Sequence, residues 1–283
     1  MIEIPVHSGK TMLAGVVGWP VSHSLSPRLH GYWLNQNGID GAYIPLAIHP
    51  DHFSTAIKGL AAANFKGVNV TVPHKEAAAA LCDTLDEAAT KMGAANTLVF
   101  SADGTIHGSN TDGLGFMENI RASAPDWQPS KPALIIGAGG AARAIGFALQ
   151  RAGCGDIRIT NRTNSRASEV SQSIGPPSQA ISWEHRNEAA AGCGIVINTT
   201  TQGMIGHNPL DLDVSGIETT TLVTDIVYNP LMTPLLAAAK ERGCLTVDGL
   251  GMLLHQAKPG FQAWFGQDPV VDEGLRSFVL AGL

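Results

Sequence analysis

The sequence contains no uninterrupted apolar run approaching the roughly 18 residues that a membrane-spanning helix needs, so no spanning segment is expected. It also lacks basic clusters. Its 18 Lys and Arg stand against 24 Asp and Glu, for a net charge of −6, and without a basic stripe nucleic acid is not an expected partner. The amino terminus, MIEIPVHSGK, has neither a basic leader nor a long apolar stretch. No secretory signal is read there, and a cytoplasmic protein is expected. The four cysteines, Cys82, Cys154, Cys193 and Cys244, never fall at CxxC spacing, which points to reduced structural thiols. The 10 histidines form no HExxH motif and no cluster with cysteine, so no metal site is expected. Charge is sparse, at 15% of residues against 44% hydrophobic, a balance that permits a sizeable core and argues against disorder. A length of 283 residues suggests two domains.

Strand and helix patterns alternate along the chain. TMLAGVVGWP reads as a strand. SPRLHGYWLNQNG reads as a helix with Ser26 as N-cap, Pro27 in the first helical position and Gly38 near its end. GAYIPLAI follows as a strand and DHFSTAIKGLAAAN as a helix. In GVNVTVPHKE, Val68, Val70 and Val72 alternate with Asn69 and Thr71, a strand with one apolar face that Pro73 stops. The alanine-rich HKEAAAALCDTLDEAA then reads as one helix, with Lys75 in its first turn. A cation at the positive end of a helix dipole is disfavoured by roughly 0.3–1 kcal/mol. Such a local violation marks a candidate functional residue.

Two strands flank Ser101-Ala102-Asp103-Gly104, a four-residue hairpin loop in which Phe100 is expected opposite Thr105 and Asn96 opposite Ser109, bringing Asn96 and Asp112 to the same end. The Pro-rich RASAPDWQPSKP looks like a connection at a domain edge. From Pro132 a second alternation begins, through ALIIG, GAARAIGFALQRAG, DIRITNR, SRASEVSQSIG, CGIVINTT and TLVTDIVY. LLHQAKPGFQAWFGQ is helical in pattern, with a break or kink expected at Pro259. Strands alternating with helices imply βαβ units and mainly parallel sheets.

ALIIGAGGAARAIGFALQ is the firmest local signal. An apolar strand runs into Gly137, Ala138, Gly139, Gly140, Ala141 and Ala142, and then into a helix. This is the G-x-G-x-x-G/A dinucleotide fingerprint in its proper context. Gly137 allows the tight turn, Gly139 lets backbone approach a pyrophosphate, and Ala142 permits close helix–strand packing. The next strand ends in Asn161-Arg162-Thr163 with no acid at its tip, and Asp156 precedes it. Arg162 and Arg166, with Asn161 and Thr163, suit a 2′-phosphate, so NADP(H) is the expected cofactor.

With these residues in place, the chain resembles the shikimate dehydrogenase family. GWPVSHSLSP, NVTVPHK, GAANT, NTDG, GAGGAARA, NRT, NTTTQGM, DIVYNPLMTPLL and GLGMLLHQA are similar to the family's landmarks, in its order, from about residue 15 to 265. The resemblance implies two α/β domains with a deep cleft: a substrate domain, residues 1–111 with helices from 249–283 packing back on it, and a Rossmann-type NADP domain, residues 112–248. It implies reversible reduction of 3-dehydroshikimate to shikimate with NADPH, on the way to chorismate and the aromatic amino acids. Carried onto this sequence, Ser24 and Ser26 bind the substrate carboxylate, and Thr71, Lys75, Asn96, Asp112 and Gln256 hold the ring hydroxyls. Lys75 and Asp112 are the catalytic pair, and Tyr228 lies near the substrate. Asn161, Arg162, Thr163 and Arg166 form the 2′-phosphate site, and Gly249 and Met252 lie near the nicotinamide. His74 departs from the family's usual phenylalanine, and Thr201 with Gln202 from its smaller residues.

The chemistry agrees with these residues. Hydride delivery to a ketone creates an alkoxide that needs a proton. A helix amino end opposes an ammonium while a carboxylate supports it, so Asp112 is expected to orient Lys75 as general acid in reduction and general base in oxidation. Alternatives are a relative acting on quinate or aminoshikimate, a non-catalytic NADP-binding paralogue that regulates a partner, and a lysine-using Rossmann enzyme on folates, which the serine loop and NTDG disfavour. The partner expected is the small-molecule substrate, with a homodimer left open.

Overall fold

The structure, a computed structural model, describes residues 7–283. The absence of a signal sequence is read in part from residues 1–6, which lie outside the described residues. The chain divides into two compact units, residues 1–111 with 257–283 and residues 112–256. The second division passes within a single helix. Among the described residues no helix is long and apolar enough to cross a membrane.

The first unit starts with β1 (Met12–Gly18), α1 (Ser26–Gln36), β2 (Gly41–Ala47), α2 (Phe53–Ala62) and β3 (Phe65–Val70). It continues through α3 (Lys75–Leu81), β4 (Thr84–Leu85), α4 (Glu87–Met92), β5 (Thr97–Phe100) and β6 (Ile106–Ser109). Its sheet runs β2-β1-β3-β5-β6-β4. β1 is parallel to β2 and β3, while β5 is antiparallel to both β3 and β6. Val17, Val68, Val70 and Leu98 of this sheet are buried with Phe53 and Ile57 of α2 and Ala78 and Ala79 of α3.

Three local expectations are corrected here. The alanine-rich segment is not one helix. Asp83 leaves α3, its N–H donating to the Ile106 carbonyl (2.9 Å) and its Oδ2 accepting from Ile106 N–H (2.8 Å), and β4 pairs with β6. Asp86 then caps α4, its Oδ1 accepting from Ala89 N–H at 2.6 Å. Sheet pairing and a strong cap outweigh the small propensity gain of continuing an alanine helix. The hairpin loop is three residues long, with Ser101 facing Thr105 and Phe100 paired with Ile106, so Thr97 and not Asn96 sits opposite Ser109. Gly104, at φ +89°, supplies the left-handed residue that closes such a loop. Val72 lies beyond the end of β3 and is 70% exposed, because the chain turns at Thr71, whose carbonyl accepts from His74 N–H.

The second unit contains α5 (Asp112–Ser123), β7 (Ala133–Ile136), α6 (Gly140–Arg151), β8 (Ile157–Thr160), α7 (Asn164–Ile174), β9 (Ser178–Ile181), α8 (Arg186–Ala190), β10 (Ile195–Asn198), β11 (Leu222–Asp225), α9 (Pro234–Glu241) and β12 (Leu245–Val247). α10 (Leu250–Phe265) then crosses into the first unit, which α11 (Glu273–Leu280) completes. The sheet is wholly parallel, in the order β12-β11-β10-β7-β8-β9. Alternation buries both of its faces, as a doubly wound sheet requires. Ala133 and Ile135 pack with α5, α6 and α7, and Leu134 and Ile136 with α8 and α9. The segment 121–132 is not an open linker, since Trp127 packs on this core and its indole N–H donates to the Gly194 carbonyl at 3.2 Å. α10 runs through Pro259 without a break. Buried Leu254, Ala257, Phe261, Trp264 and Phe265 hold it on both sides of the proline.

In the first unit the carboxy-terminal helices are tied to the sheet and to α1. Trp264 Nε1 donates to the Leu98 carbonyl at 3.0 Å, and Trp33 Nε1 to the Val270 carbonyl at 2.8 Å. Between them lies His30, fully buried, stacked on Tyr43 with centroids 3.9 Å apart and next to Trp33, Phe261 and Trp264. Neither of its ring nitrogens has a hydrogen-bond partner. The four cysteines are all free thiols, and burial pushes Cys82 and Cys193 up to about 11.

Burial also pushes the His30 imidazole down to about 3. Between that value and its ordinary value of about 6.5 the unfolded chain binds a proton that the folded chain refuses, so His30 lowers stability progressively as pH falls below about 6.5. His30→Phe, which keeps the stack, removes this term. Urea unfolding of both proteins from pH 7.5 to 4.5 is expected to show the variant gaining on wild type by up to roughly 1.4 kcal/mol per pH unit below 6.5. A gap independent of pH rejects the assignment.

Candidate active site and cofactor loop

The lysine that breaks the helix-end rule is the first residue of α3, half-buried. Its backbone carbonyl accepts from Ala95 N–H at 2.9 Å. The neighbouring Asn96 is 3% exposed. Its Oδ1 accepts from Thr111 N–H (3.0 Å), Thr111 Oγ1 (3.2 Å) and Thr97 Oγ1 (3.1 Å). Thr111 leads directly into Asp112, the first residue of α5. One two-residue segment, Ala95–Asn96, therefore holds both the start of the Lys75 helix and the chain that enters Asp112.

His74 precedes Lys75 and is 2% exposed. Its ring stacks on Phe53 with centroids 4.7 Å apart, and Nε2 lies 2.8 Å from the Ile48 carbonyl. A carbonyl can only accept, so Nε2 carries the proton. The position where the family uses an aromatic ring thus keeps an aromatic stack and adds a tether. Thr71 is half-buried, its N–H donating to Val17 O at 2.9 Å.

In the serine loop, Leu25 and not Ser26 holds the N-cap position, and Ser26 begins α1. Ser24 Oγ accepts from Ser26 N–H at 3.3 Å, so the capping role passes to the earlier hydroxyl. Ser24 is half-buried and Ser26 is buried.

In the second unit, β7 lies between β8 and β10, the point where strand order reverses. Ligands of doubly wound sheets bind beyond the carboxyl ends of the strands at such a switch point. The loop Gly137–Gly139 follows β7 and leads into Gly140, Ala141 and Ala142 at the start of α6, and Thr199–Gln202 follows β10. Thr199 binds the Ile136 carbonyl through both N–H and Oγ1, each at 2.8 Å. Gly137 has φ +119°, and a Cβ there would overlap the Thr199 hydroxyl. Gly139 caps α6 with no side-chain hydrogen bond, and the space beside Gly139 and Gly140 is open. The uncapped N–H groups of a 12-residue helix facing open space fit a pyrophosphate. At the tip of β8, Arg162, Thr163 and Arg166 are exposed, and Asn161 Nδ2 donates to Thr163 O at 3.0 Å. Asp156 cannot serve a ribose hydroxyl at this tip, because it pairs with Arg158 at 2.9 Å at the other end of the strand. Two guanidinium groups without a carboxylate suit a 2′-phosphate.

The remaining expected residues also lie in the second unit. Tyr228 is half-buried after β11, and burial raises its phenol above the ordinary range. Gln256 sits in α10, its Nε2 donating to Leu253 O at 3.2 Å and its Cβ pressed against Gly115 of α5. Gly249 abuts the Ile226 carbonyl just before α10, and Met252 packs against the α5–α6 core.

Two groups were not picked out from sequence. Asp225, fully buried at the end of β11, accepts from Asn198 Nδ2 (3.0 and 3.1 Å), Val227 N–H (3.0 Å) and Thr233 Oγ1 (2.8 Å). It ties the loop after β10 to the Tyr228 loop and the start of α9. An acid ending an apolar strand was the available signal. Asn69, which alternates with the valines of its strand, is buried and bonded on every polar atom.

Fold and loop define a two-domain dehydrogenase with a Rossmann-type dinucleotide domain. Residues 16–98 match the shikimate dehydrogenase substrate binding domain and residues 121–229 match shikimate / quinate 5-dehydrogenase. The chain is 57% identical over 275 residues to the shikimate dehydrogenase (NADP(+)) of Paramagnetospirillum magneticum, covering 97% of this chain and 100% of that one. Shikimate 5-dehydrogenase from Thermus thermophilus, solved with NADP(H) and shikimate, is 33% identical with TM-score 0.86 over 96% of this chain and 100% of that one. Quinate dehydrogenase from Corynebacterium glutamicum, solved with NAD, is 29% identical with TM-score 0.90 over 96% and 99% of the two chains. The protein belongs to the shikimate dehydrogenase family.

His74→Phe should keep the stack on Phe53 but leave the half-buried Ile48 carbonyl without its donor, a cost of about 1 kcal/mol. Chemical denaturation of the two proteins measures it. An unchanged stability means that water replaces the imidazole.

Proposed function

We propose that the protein catalyses the reversible NADPH-dependent reduction of 3-dehydroshikimate to shikimate, with Lys75 and Asp112 as its proton-transfer pair. The observation that carries the pair is the shared anchor: Lys75 O bonds to Ala95 N–H, and Asn96 Oδ1 bonds to Thr111 N–H, one residue before Asp112. Bound NADPH supplies the hydride. In reduction, the Lys75 ammonium gives its proton to the oxygen that was the ketone. In oxidation, the neutral amine takes the hydroxyl proton back. Asp112 holds the lysine head and balances its charge. The Ser24 and Ser26 hydroxyls receive the substrate carboxylate, and Thr71, Asn96, Tyr228 and Gln256 receive the ring hydroxyls.

On the cofactor side, residues Gly137 to Ala142 hold the pyrophosphate against α6. Asn161, Arg162, Thr163 and Arg166 hold the 2′-phosphate, and Gly249 and Met252 border the nicotinamide. The arginines favour NADP(H) over the NAD bound by the quinate dehydrogenase relative. Cytoplasmic location and a homodimer belong to the same proposal, with cell fractionation and sedimentation as their tests.

Shikimate oxidation with NADP+ is the direct assay. Lys75→Ala should lower kcat by roughly 10²–10⁴, the usual worth of general acid–base catalysis, while NADPH still binds by fluorescence titration. Turnover near wild type removes Lys75 from the chemistry. Asp112→Asn should also lower kcat. Faster oxidation of quinate with NAD+ than of shikimate with NADP+ would move the protein to the quinate branch. Arg162→Ala with Arg166→Ala should raise KM for NADP+ about 10- to 100-fold, the worth of one or two charge-assisted hydrogen bonds, and leave KM for NAD+ little changed.

A further inference from the structure

We propose that Asn198, Asp225 and Thr233 are positioning residues for the nicotinamide half of the cofactor: one buried carboxylate holds together the loops that follow β10 and β11. The inference rests on the proposed binding of NADP(H) by the second unit, and all of the residues involved lie in that unit.

A doubly wound sheet binds a dinucleotide across two halves that meet where the strand order reverses, with the pyrophosphate at the first strand–helix turn. Here one half is β7, β8 and β9, and the other is β10, β11 and β12. The arginines proposed for the 2′-phosphate lie at the tip of β8 and the start of α7, so the adenosine belongs to the first half. The nicotinamide is left with the second half and with the loops at the ends of β10 and β11.

Asn198 and Asp225 are the last residues of those two strands and stand side by side in register. Both are fully buried, as is Thr233. The Asn198 amide has one possible orientation. Its Oδ1 accepts from Thr200 N–H at 3.0 Å and from Thr200 Oγ1 at 2.7 Å, so Nδ2 faces Asp225. Nδ2 donates to the two carboxylate oxygens at 3.0 and 3.1 Å and to the Gln202 carbonyl at 3.0 Å. Asp225 Oδ1 also accepts from Val227 N–H at 3.0 Å, one residue before Tyr228. Its Oδ2 accepts from Thr233 Oγ1 at 2.8 Å, and that hydroxyl oxygen accepts from Leu236 N–H at the start of α9.

The reach of the carboxylate extends to α10. Ile226, between Asp225 and Val227, donates its N–H to the Asn198 carbonyl at 3.1 Å. Its own carbonyl lies against Gly249, where a Cβ would overlap it. The loop after β10, the Tyr228 turn and the residue that leads into α10 are therefore set against one another around Asp225. All of the donors to Asp225 are neutral, and burial raises its carboxyl above the usual range while they draw it back. A carboxylate buried among neutral donors is a costly way to close a turn. It provides two oxygens with several acceptor sites, enough to hold two loops and a helix start at once.

The test uses three variants. Asp225→Asn keeps the shape but leaves one oxygen for donors that need two. Thr233→Val removes one donor, and Thr233→Ser keeps it. Each is compared with wild type by melting, by kinetics of shikimate oxidation with NADP+, and by binding of NADP+ and of adenosine 2′,5′-bisphosphate, which carries only the adenosine half. Asp225→Asn should lower kcat about 10- to 100-fold, the cost of misplacing the reacting carbon by up to about 1 Å. It should weaken NADP+ about 3- to 10-fold, the worth of one hydrogen bond, while the bisphosphate binds within twofold of wild type. Thr233→Val should shift both quantities in the same direction by less, and Thr233→Ser should restore them. If melting falls but kcat and NADP+ binding stay within twofold in Asp225→Asn and Thr233→Val, the network is structural only and the inference fails. If the bisphosphate weakens as much as NADP+, the whole unit has loosened and the inference also fails. If wild type binds neither NADP+ nor the bisphosphate, the cofactor reading fails and takes the inference with it. If wild type binds NADP+ but oxidises no shikimate, the proposed reaction fails, and the binding comparison decides the inference. Should Asp225→Asn not fold, Thr233→Val decides alone.

Discussion

A buried amide cannot be left without partners, and in the first unit that constraint falls on Asn96. Three donors meet its Oδ1, and they come from Thr97 at the start of β5 and from Thr111, which leads into α5. This one oxygen ties the start of β5 to Thr111, both within the first unit. Lys75 is held to the same place through the Ala95 N–H. The wrong-signed residue at a helix start is therefore placed by backbone bonds of its own unit, and α3 supplies only two turns behind it.

The second unit rests on a different constraint. A wholly parallel sheet buries both faces, so its strands are apolar throughout and polar chemistry is confined to their ends. At the carboxyl ends of β7 and β10 the register sets Ile136 beside Asn198, and Thr199, in the loop after β10, is bonded to the Ile136 carbonyl at the end of β7. Asp225 extends the arrangement one strand further, with burial raising its carboxyl and the Asn198, Val227 and Thr233 donors drawing it back. The ends of β7, β10 and β11 are thus joined by hydrogen bonds beside the glycine loop, whose Gly137 N–H donates to the Thr160 carbonyl at the end of β8.

Local pattern was sufficient wherever one period dominated. The strand, glycine loop and helix at 133–151 and the alternation after it were legible because apolar runs and glycines there have no competing reading. The pattern failed where partners distant in sequence decided. Alanine propensity favoured a single helix over 74–89, but Asp83 and Asp86 bind β6 and α4 instead. The hairpin loop is one residue shorter than expected, because Gly104 reaches the left-handed region and lets Ser101 face Thr105. Val72 kept the alternation of its strand in sequence and lost it in space, since the turn at Thr71 removes it from the sheet.

What the sequence by itself determined is the chemistry available: a lysine and an aspartate outside any ordinary ion-pair pattern, a dinucleotide loop, and arginines in place of an acid at the tip of β8. Residue types and their spacing along the chain suffice for that, because the loop and strand tips are local structures. Only the tertiary structure decided how the polar residues are oriented. Asn69 could have faced solvent by its alternation, yet it is buried because α1 and α10 cover that face of the sheet with His30, Trp33, Phe261 and Trp264. Once covered, it had to find partners for every polar atom, and those partners, Tyr43, Asn96 and Thr97, lie 26 to 28 positions away. A hydrogen bond's direction is a property of the closed network and cannot be read from any of its residues alone.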